Sequence, residues 1–170
     1  MLKLLSTIGA ALLLATLPAL PGLAGELAKP TGKVVLTVTG QIDNTNGDGV
    51  AQFDMAMLEA LAQGETKTQT PWYDGVKTFT GPTAKALVEA VGGHGTTMNV
   101  LALNDYASEI PVSDFTDLPV ILATKVDGEP MSVRDKGPIF VIYPFDQHPE
   151  LNNETYYGRS AWQVKSIEFK

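Results

Sequence analysis

The hydrophobic pattern of this chain switches several times between the strand period and the helix period, and the switches predict its elements. Residues 34–40, VVLTVTG, are rich in β-branched side chains and end on a glycine before the polar stretch from Asp43 to Gly49. That reads as a strand running into a loop. Asp54 then stands before MAMLEALAQG, in which Met55, Leu58 and Leu61 recur at helical spacing with Met57 beside them. The spacing predicts a short amphipathic helix capped by Asp54 and stopped at Gly64. Residues 65–70 read as a polar strand, Pro71 to Gly75 as an aromatic turn, and residues 76–80 as another strand. Pro82 is placed to open a second helix over residues 83–91, with Gly92 and Gly93 to close it.

Beyond that helix the pattern is mostly strands, over residues 98–103, 107–111, 120–125 and 139–143, with Asp127-Gly128 and Gly137-Pro138 among the turns. On the last strand Trp162 and Val164 share one face, whereas Ile167 and Phe169 take the opposite parity. A bulge or burial on both faces is needed between them. No internal repeat, heptad or low-complexity tract is present. The expected fold class is α+β, a mixed, strand-dominated sheet with a few short helices.

The N-terminus adds a destination. One basic residue, Lys3, precedes an apolar run from Leu4 to Leu20 that Pro18 interrupts and Pro21-Gly22 follows. The run is shorter than the roughly 20 residues of a spanning helix, and its prolines would break one, so the layout is that of a cleavable secretory signal. Gly22 and Ala24 suit a cut after Ala24, with Gly25 as the neighbouring option. Residues 1–24 are then a signal peptide and residues 25–170 one exported domain without membrane insertion. The formal net charge is −7 at pH 7, and losing Lys3 makes the remainder more acidic still, which repels nucleic acid and anionic lipid. The chain has no cysteine, so no disulfide staples the core and no thiolate is available for a metal or for catalysis.

Several motifs reduce to ordinary structure. Asn44, Asn46, Asp48 and Gly49 imitate the opening of an EF-hand calcium loop, but Met55 stands where the closing glutamate is required, and a polar turn remains. His94 and His148 are too few and too distant in sequence to indicate a metal site, and no serine sits in a Gly-x-Ser-x-Gly elbow. Asn153-Glu154-Thr155 is a glycosylation sequon, relevant only in a eukaryotic secretory pathway. More informative are aromatic and polar residues paired at strand ends: Trp72-Tyr73-Asp74, Asn104-Asp105-Tyr106, Arg134-Asp135-Lys136, and Tyr156 to Ser160 with Trp162. A flat heteroaromatic ligand needs such stacking faces and a few directional donors and acceptors. The same residues also fit plain packing of Trp162 and surface pairing of Arg134 and Arg159 with Asp135 and Glu154; composition alone does not choose.

The order of three segments carries a resemblance: NDYASEIP over 104–111, VILATKVDGEPMSVRDKGPIFVIYP over 120–144, and RSAWQVKSIEF over 159–169. Together they resemble the oxidoreductase molybdopterin-binding domain of the sulfite oxidase fold. The stretch from Thr70 to Val91, where a Trp and a Gly-Val pair lead into a helix, is similar too. Enzymes of that fold hold molybdenum through a cysteine just before the position of Pro71-Trp72, where this chain has Thr68, Gln69 and Thr70. Hydroxyls and amides do not replace a soft thiolate. The chain is more similar to a smaller branch of short, exported, cysteine-lacking proteins that bind simple pterins and report them to an inner-membrane signalling partner. In that branch the partner often makes or degrades cyclic di-GMP, with an output in biofilm formation.

The resemblance implies a periplasmic protein with a pterin as its ligand, molybdopterin being the lesser candidate, and no catalytic or metal-binding residue. Its implied partner is the periplasmic domain of an inner-membrane signalling protein. The alternative is a molybdopterin-dependent oxidoreductase or its accessory subunit. The implied pterin site lies between the loop after Gln69 and the end of the chain. Asp105 is the expected carboxylate there and Arg159 and Ser160 the expected donors. Trp72, Tyr106 and Trp162 are the expected stacking surfaces, with Arg134 and Lys136 at the rim.

Overall fold

The β-branched run near the start of the domain becomes an inner strand of the main sheet. The structure, a computed structural model, describes residues 27–170, so the expected signal peptide lies outside the described residues. Strand β1 (Val34–Gly40) pairs antiparallel with β2 (Ala51–Asp54) and parallel with the last strand, β11 (Val164–Phe169). On its other edge β11 pairs with β5 (Thr97–Ala102), which pairs in turn with β6 (Ala107–Pro111), both antiparallel. Period-two alternation buries Leu36 and Val38 from β1 and Met98 and Val100 from β5. These join Leu87, Val88 and Val91 of helix α2 (Ala84–Val91) in the main core. Each such side chain contributes about 1.5 to 3 kcal/mol on burial.

The parity conflict on the last strand is resolved by a bulge. The register against β5 shifts between Val164 and Ser166, next to Gln163, whose φ is 54°. Val164, Ile167 and Phe169 are thereby all buried. Trp162 falls outside β11, joined to Phe140 by an isolated bridge instead.

A second antiparallel sheet contains β3 (Gln63–Thr70), β4 (Tyr73–Pro82), β8 (Lys125–Val126) and β9 (Glu129–Pro130). Along β3 the threonines Thr66, Thr68 and Thr70 point inward, while Glu65, Lys67 and Gln69 are exposed. Between the sheets lies a two-stranded ribbon, β7 (Ile121–Ala123) with β10 (Phe140–Ile142). Both of its faces are buried. Leu122 and Val141 belong to the main core, whereas Ile121, Ala123, Phe140 and Ile142 join Phe79 and Met131 in a smaller one. Strand β4 crosses this ribbon so closely that a Cβ on Gly81 would lie 2.1 Å from the Leu122 carbonyl oxygen.

Several boundaries differ from the sequence expectations. The strand expected over 120–125 breaks at Thr124, whose N–H donates to the Thr80 carbonyl at 2.9 Å, and resumes as the β8–β9 hairpin. That hairpin turns on Asp127 and Gly128 at φ 49° and 86°, the positive pair that a tight two-residue turn requires. Helix α1 (Met55–Ala60) stops before Gly64, which lies in β3 against Ile121 and Thr83. Pro82 ends β4, and Thr83 caps α2 by accepting from the Ala86 N–H at 3.2 Å. Gly92 closes α2 as expected, in the left-handed conformation. Two six-residue helices were not expected, α3 (Val112–Asp117) and α4 (Glu154–Arg159). The result is an α+β, strand-dominated protein with four short helices among the described residues. Among the described residues no helix is long and apolar enough to cross a membrane.

Candidate functional site

Three segments distant in sequence meet at Trp72. The turn between β3 and β4 supplies Trp72 itself, the loop between β5 and β6 supplies Asn104 and Tyr106, and α4 with the residues after it supplies Tyr157, Ser160 and Trp162. These six line a cleft of about 210 Å³. The Trp72 ring lies edge-on to its neighbours, with centroids 5.8 Å from Trp162, 5.9 Å from Tyr157 and 5.4 Å from Phe140. Edge-to-face contacts of this kind add about 0.5 to 1.5 kcal/mol each beyond area burial, so the indole is held in one orientation. Trp162 is both packing residue and wall: it lies against Phe140 in the smaller core and still lines the cleft.

The polar lining is fixed as well. Asn104 Oδ1 accepts from the Tyr106 N–H at 3.2 Å, and Asp105 between them has φ 65°. The Tyr106 hydroxyl and the Ser108 hydroxyl both donate to the Gly158 carbonyl at 2.8 Å, tying the loop to α4. Ser160 is almost completely buried, and its Oγ donates to the Tyr156 carbonyl at 2.9 Å.

Of the eight residues expected at a ligand, Trp72, Tyr106, Ser160 and Trp162 are brought together on this wall. The other four do not line it. Asp105 turns to the surface, where the Lys165 ammonium donates to Oδ1 at 2.8 Å and holds its carboxyl below the usual range. Arg134 is exposed on a short 3-10 turn, and Lys136 Nζ sits 4.7 Å from the Tyr73 ring centroid. Arg159 pairs not with Glu154 but with Asp114 of α3: Nη1 donates to Oδ2 at 3.0 Å, and the guanidinium lies over the Tyr156 ring. The Tyr143 hydroxyl donates to the same Asp114 oxygen at 2.8 Å. Burial, and then the Asp114 charge, raise Tyr143 above its ordinary range, so it stays protonated.

Beside the cleft is a polar hollow of about 310 Å³ lined by Gln69, Thr70, Pro71, Asp146, Asn152 and Tyr157. Tyr157 borders both spaces. Its hydroxyl donates to Asn152 Oδ1. Asp146, Asn152 and Tyr157 were not among the expected site residues. Tyr157 stands in an aromatic stretch that the sequence does mark, whereas nothing near Asp146 or Asn152 in sequence points to a site.

No protein-family model matches the chain, and no curated protein matches it in sequence. The site's chemistry is therefore read from its own side chains. Aromatic side chains with an amide and a hydroxyl in the same lining suit a planar, polar ring. They do not suit molybdenum. Thr68 Oγ1 accepts from the Asp146 N–H at 3.1 Å and donates to the Gln69 carbonyl, and Thr70 Oγ1 is a buried hydroxyl; neither is the soft sulfur donor that metal takes. Among the described residues no group of three or more His, Cys, Asp or Glu is placed to hold a metal ion.

Proposed function

We propose that this protein is an exported pterin-binding protein of the cysteine-lacking, sulfite oxidase-like fold, and that it binds its ligand without redox turnover. The observation that carries this reading is the cleft walled by Trp72, Tyr106, Tyr157 and Trp162, with Asn104 and Ser160 also in its lining. Stacking of a planar base on one aromatic side chain is worth about 1 to 3 kcal/mol, so several such faces supply micromolar binding with few hydrogen bonds. Two threonines and a glutamine, Thr68 to Thr70, stand where the redox enzymes of the fold have their sulfur ligand, which favours sensing over oxidation or reduction of a substrate. In this reading the protein is periplasmic and passes ligand occupancy to the periplasmic domain of an inner-membrane protein that makes or degrades cyclic di-GMP. That relay is supported by the motif order from Asn104 to Phe169.

The test is titration of the protein, purified from a host that exports it, with pterin, followed by calorimetry and by quenching of the pterin fluorescence. Saturable one-to-one binding is expected, with molybdenum far below one atom per chain by elemental analysis. Trp162→Ala should weaken binding by about tenfold or more through loss of one stacking face. No pterin binding by the wild type, or stoichiometric molybdenum with reductase activity, overturns the reading.

A further inference from the structure

The polar hollow beside the aromatic cleft contains features that its own folding does not use. Asp146 lies at its edge, anchored to the end of β3 twice: Oδ2 accepts from the Gln69 N–H at 3.0 Å, and its own N–H donates to Thr68 Oγ1 at 3.1 Å. Among the described residues no hydrogen bond is made to the other carboxylate oxygen, Oδ1, and no cation pairs with the group. Asn152 accepts the Tyr157 hydroxyl through Oδ1, which leaves its NH₂ as a donor. Thr70 is 5 % exposed, lines the hollow, and its Oγ1 has no hydrogen-bond partner. A buried hydroxyl without a partner carries an uncompensated desolvation penalty unless something satisfies it.

We infer that Asp146 is the specificity-determining carboxylate of the ligand site, and that it reads the amino-pyrimidine edge of a ring whose opposite end stacks in the aromatic cleft. This rests on the pterin-binding reading and corrects its chemistry, since Asp105 already holds Lys165 at the surface. An amino-pyrimidinone edge presents an exocyclic NH₂ and a ring N–H side by side, a donor pair that matches a carboxylate fork. Beyond that pair comes a carbonyl acceptor, for which the Asn152 NH₂ and the Thr70 hydroxyl are the donors in the hollow. Tyr157 borders both spaces, so one bicyclic ligand can lie along it and occupy both. A ligand with a carbonyl in place of the amino group turns an acceptor toward the carboxylate and is rejected, because a charge left facing an acceptor is penalised more than a lost contact.

Two pteridines that differ at that one position separate the outcomes. Calorimetric titration of the exported wild-type protein with pterin (2-amino-4-oxopteridine) and with lumazine (2,4-dioxopteridine) should show pterin bound at least tenfold more tightly, as a charge-assisted donor pair predicts. Asp146→Asn keeps an acceptor for the Gln69 N–H but removes the charge. It should lower pterin affinity by roughly ten- to a hundredfold and erase the preference. Thr70→Val, isosteric and without the hydroxyl, should weaken pterin several-fold while leaving the unliganded melting temperature unchanged or higher. If the wild type binds pterin and lumazine equally, or if Asp146→Asn retains the full preference, the assignment of Asp146 is wrong although pterin binding stands. If the wild type binds neither compound, pterin binding and this assignment fall together.

Discussion

Tyr143 is completely buried and shares one oxygen of Asp114 with Arg159, at 2.8 and 3.0 Å. Asp114 is itself 6 % exposed, so its charge depends on those two donors for compensation. A ligand-facing Arg159 would be dispensable for stability. The geometry predicts otherwise: Arg159→Ala leaves a buried carboxylate with a single neutral partner and should cost about 2 to 3 kcal/mol. That is less than a fully buried pair would lose, because water reaches part of the guanidinium. Tyr143→Phe keeps the ion pair and should cost only about 1 kcal/mol. Urea unfolding at neutral pH measures both; an Arg159→Ala protein as stable as the wild type would show that the pair contributes nothing.

Asp54 joins two elements that sequence reading treats separately. As the N-cap of α1 its Oδ1 accepts from the Met57 N–H at 2.9 Å, while Oδ2 accepts from the Thr31 and Gly32 N–H groups at 2.8 and 2.7 Å, holding the segment before β1. The bonds from Met57 and Gly32 contribute most to lowering its pKa below the ordinary value. A carboxyl with a depressed folded-state pKa contributes stability that is complete above its unfolded value, about 3.9, and is lost as pH falls through the folded value. Asp54→Asn should therefore lower the urea midpoint at neutral pH, and its midpoint should converge on that of the wild type as the solution is acidified. A constant difference at every pH would mean that the loss is steric rather than ionic. Other local devices were equally legible: the Gly92 stop, the β11 bulge and the polar alternation of β3 each depend on residues within a few positions of one another. Helix α4 was hidden although Asn153 caps it by accepting from the Thr155 N–H, because Tyr156, Tyr157 and Trp162 imitate a strand end.

At the scale of the whole molecule the β7–β10 ribbon divides the interior into two cores, and Trp72 packs against both. Two cores that share a ribbon buried on both faces should melt as one unit. Circular dichroism and tryptophan fluorescence should give coincident unfolding curves, and Trp72→Ala, which removes the half-buried bridge, should cost about 2 to 4 kcal/mol. Separate transitions for the two probes would mean that the cores are independent. Trp72 also lines the cleft, so a molecule stacked there would touch the residue that joins the two cores.

The sequence by itself determined most of the strands, the helices α1 and α2 with the Asp54 cap and the Gly92 stop, the strand-dominated α+β class, the acidic charge, and the absence of any thiolate. These depend on composition or on neighbours within a turn or a pleat, where spacing and side-chain type are sufficient. It also singled out Trp72, Tyr106 and Trp162, three of the four aromatic residues that wall the cleft, since Trp and Tyr at strand ends are conspicuous wherever they finally point. Only the tertiary structure decided that no charged side chain among the described residues lines that cleft, and where the charges go instead. Arg159 finds Asp114 45 residues away, Asp105 finds Lys165 at a separation of 60, and Asp146 reaches the Gln69 N–H across 77. Such partners are chosen by the crossing of sheets and short helices, and a charge that looks available in sequence is spent wherever the chain's path brings an opposite charge within 3 Å.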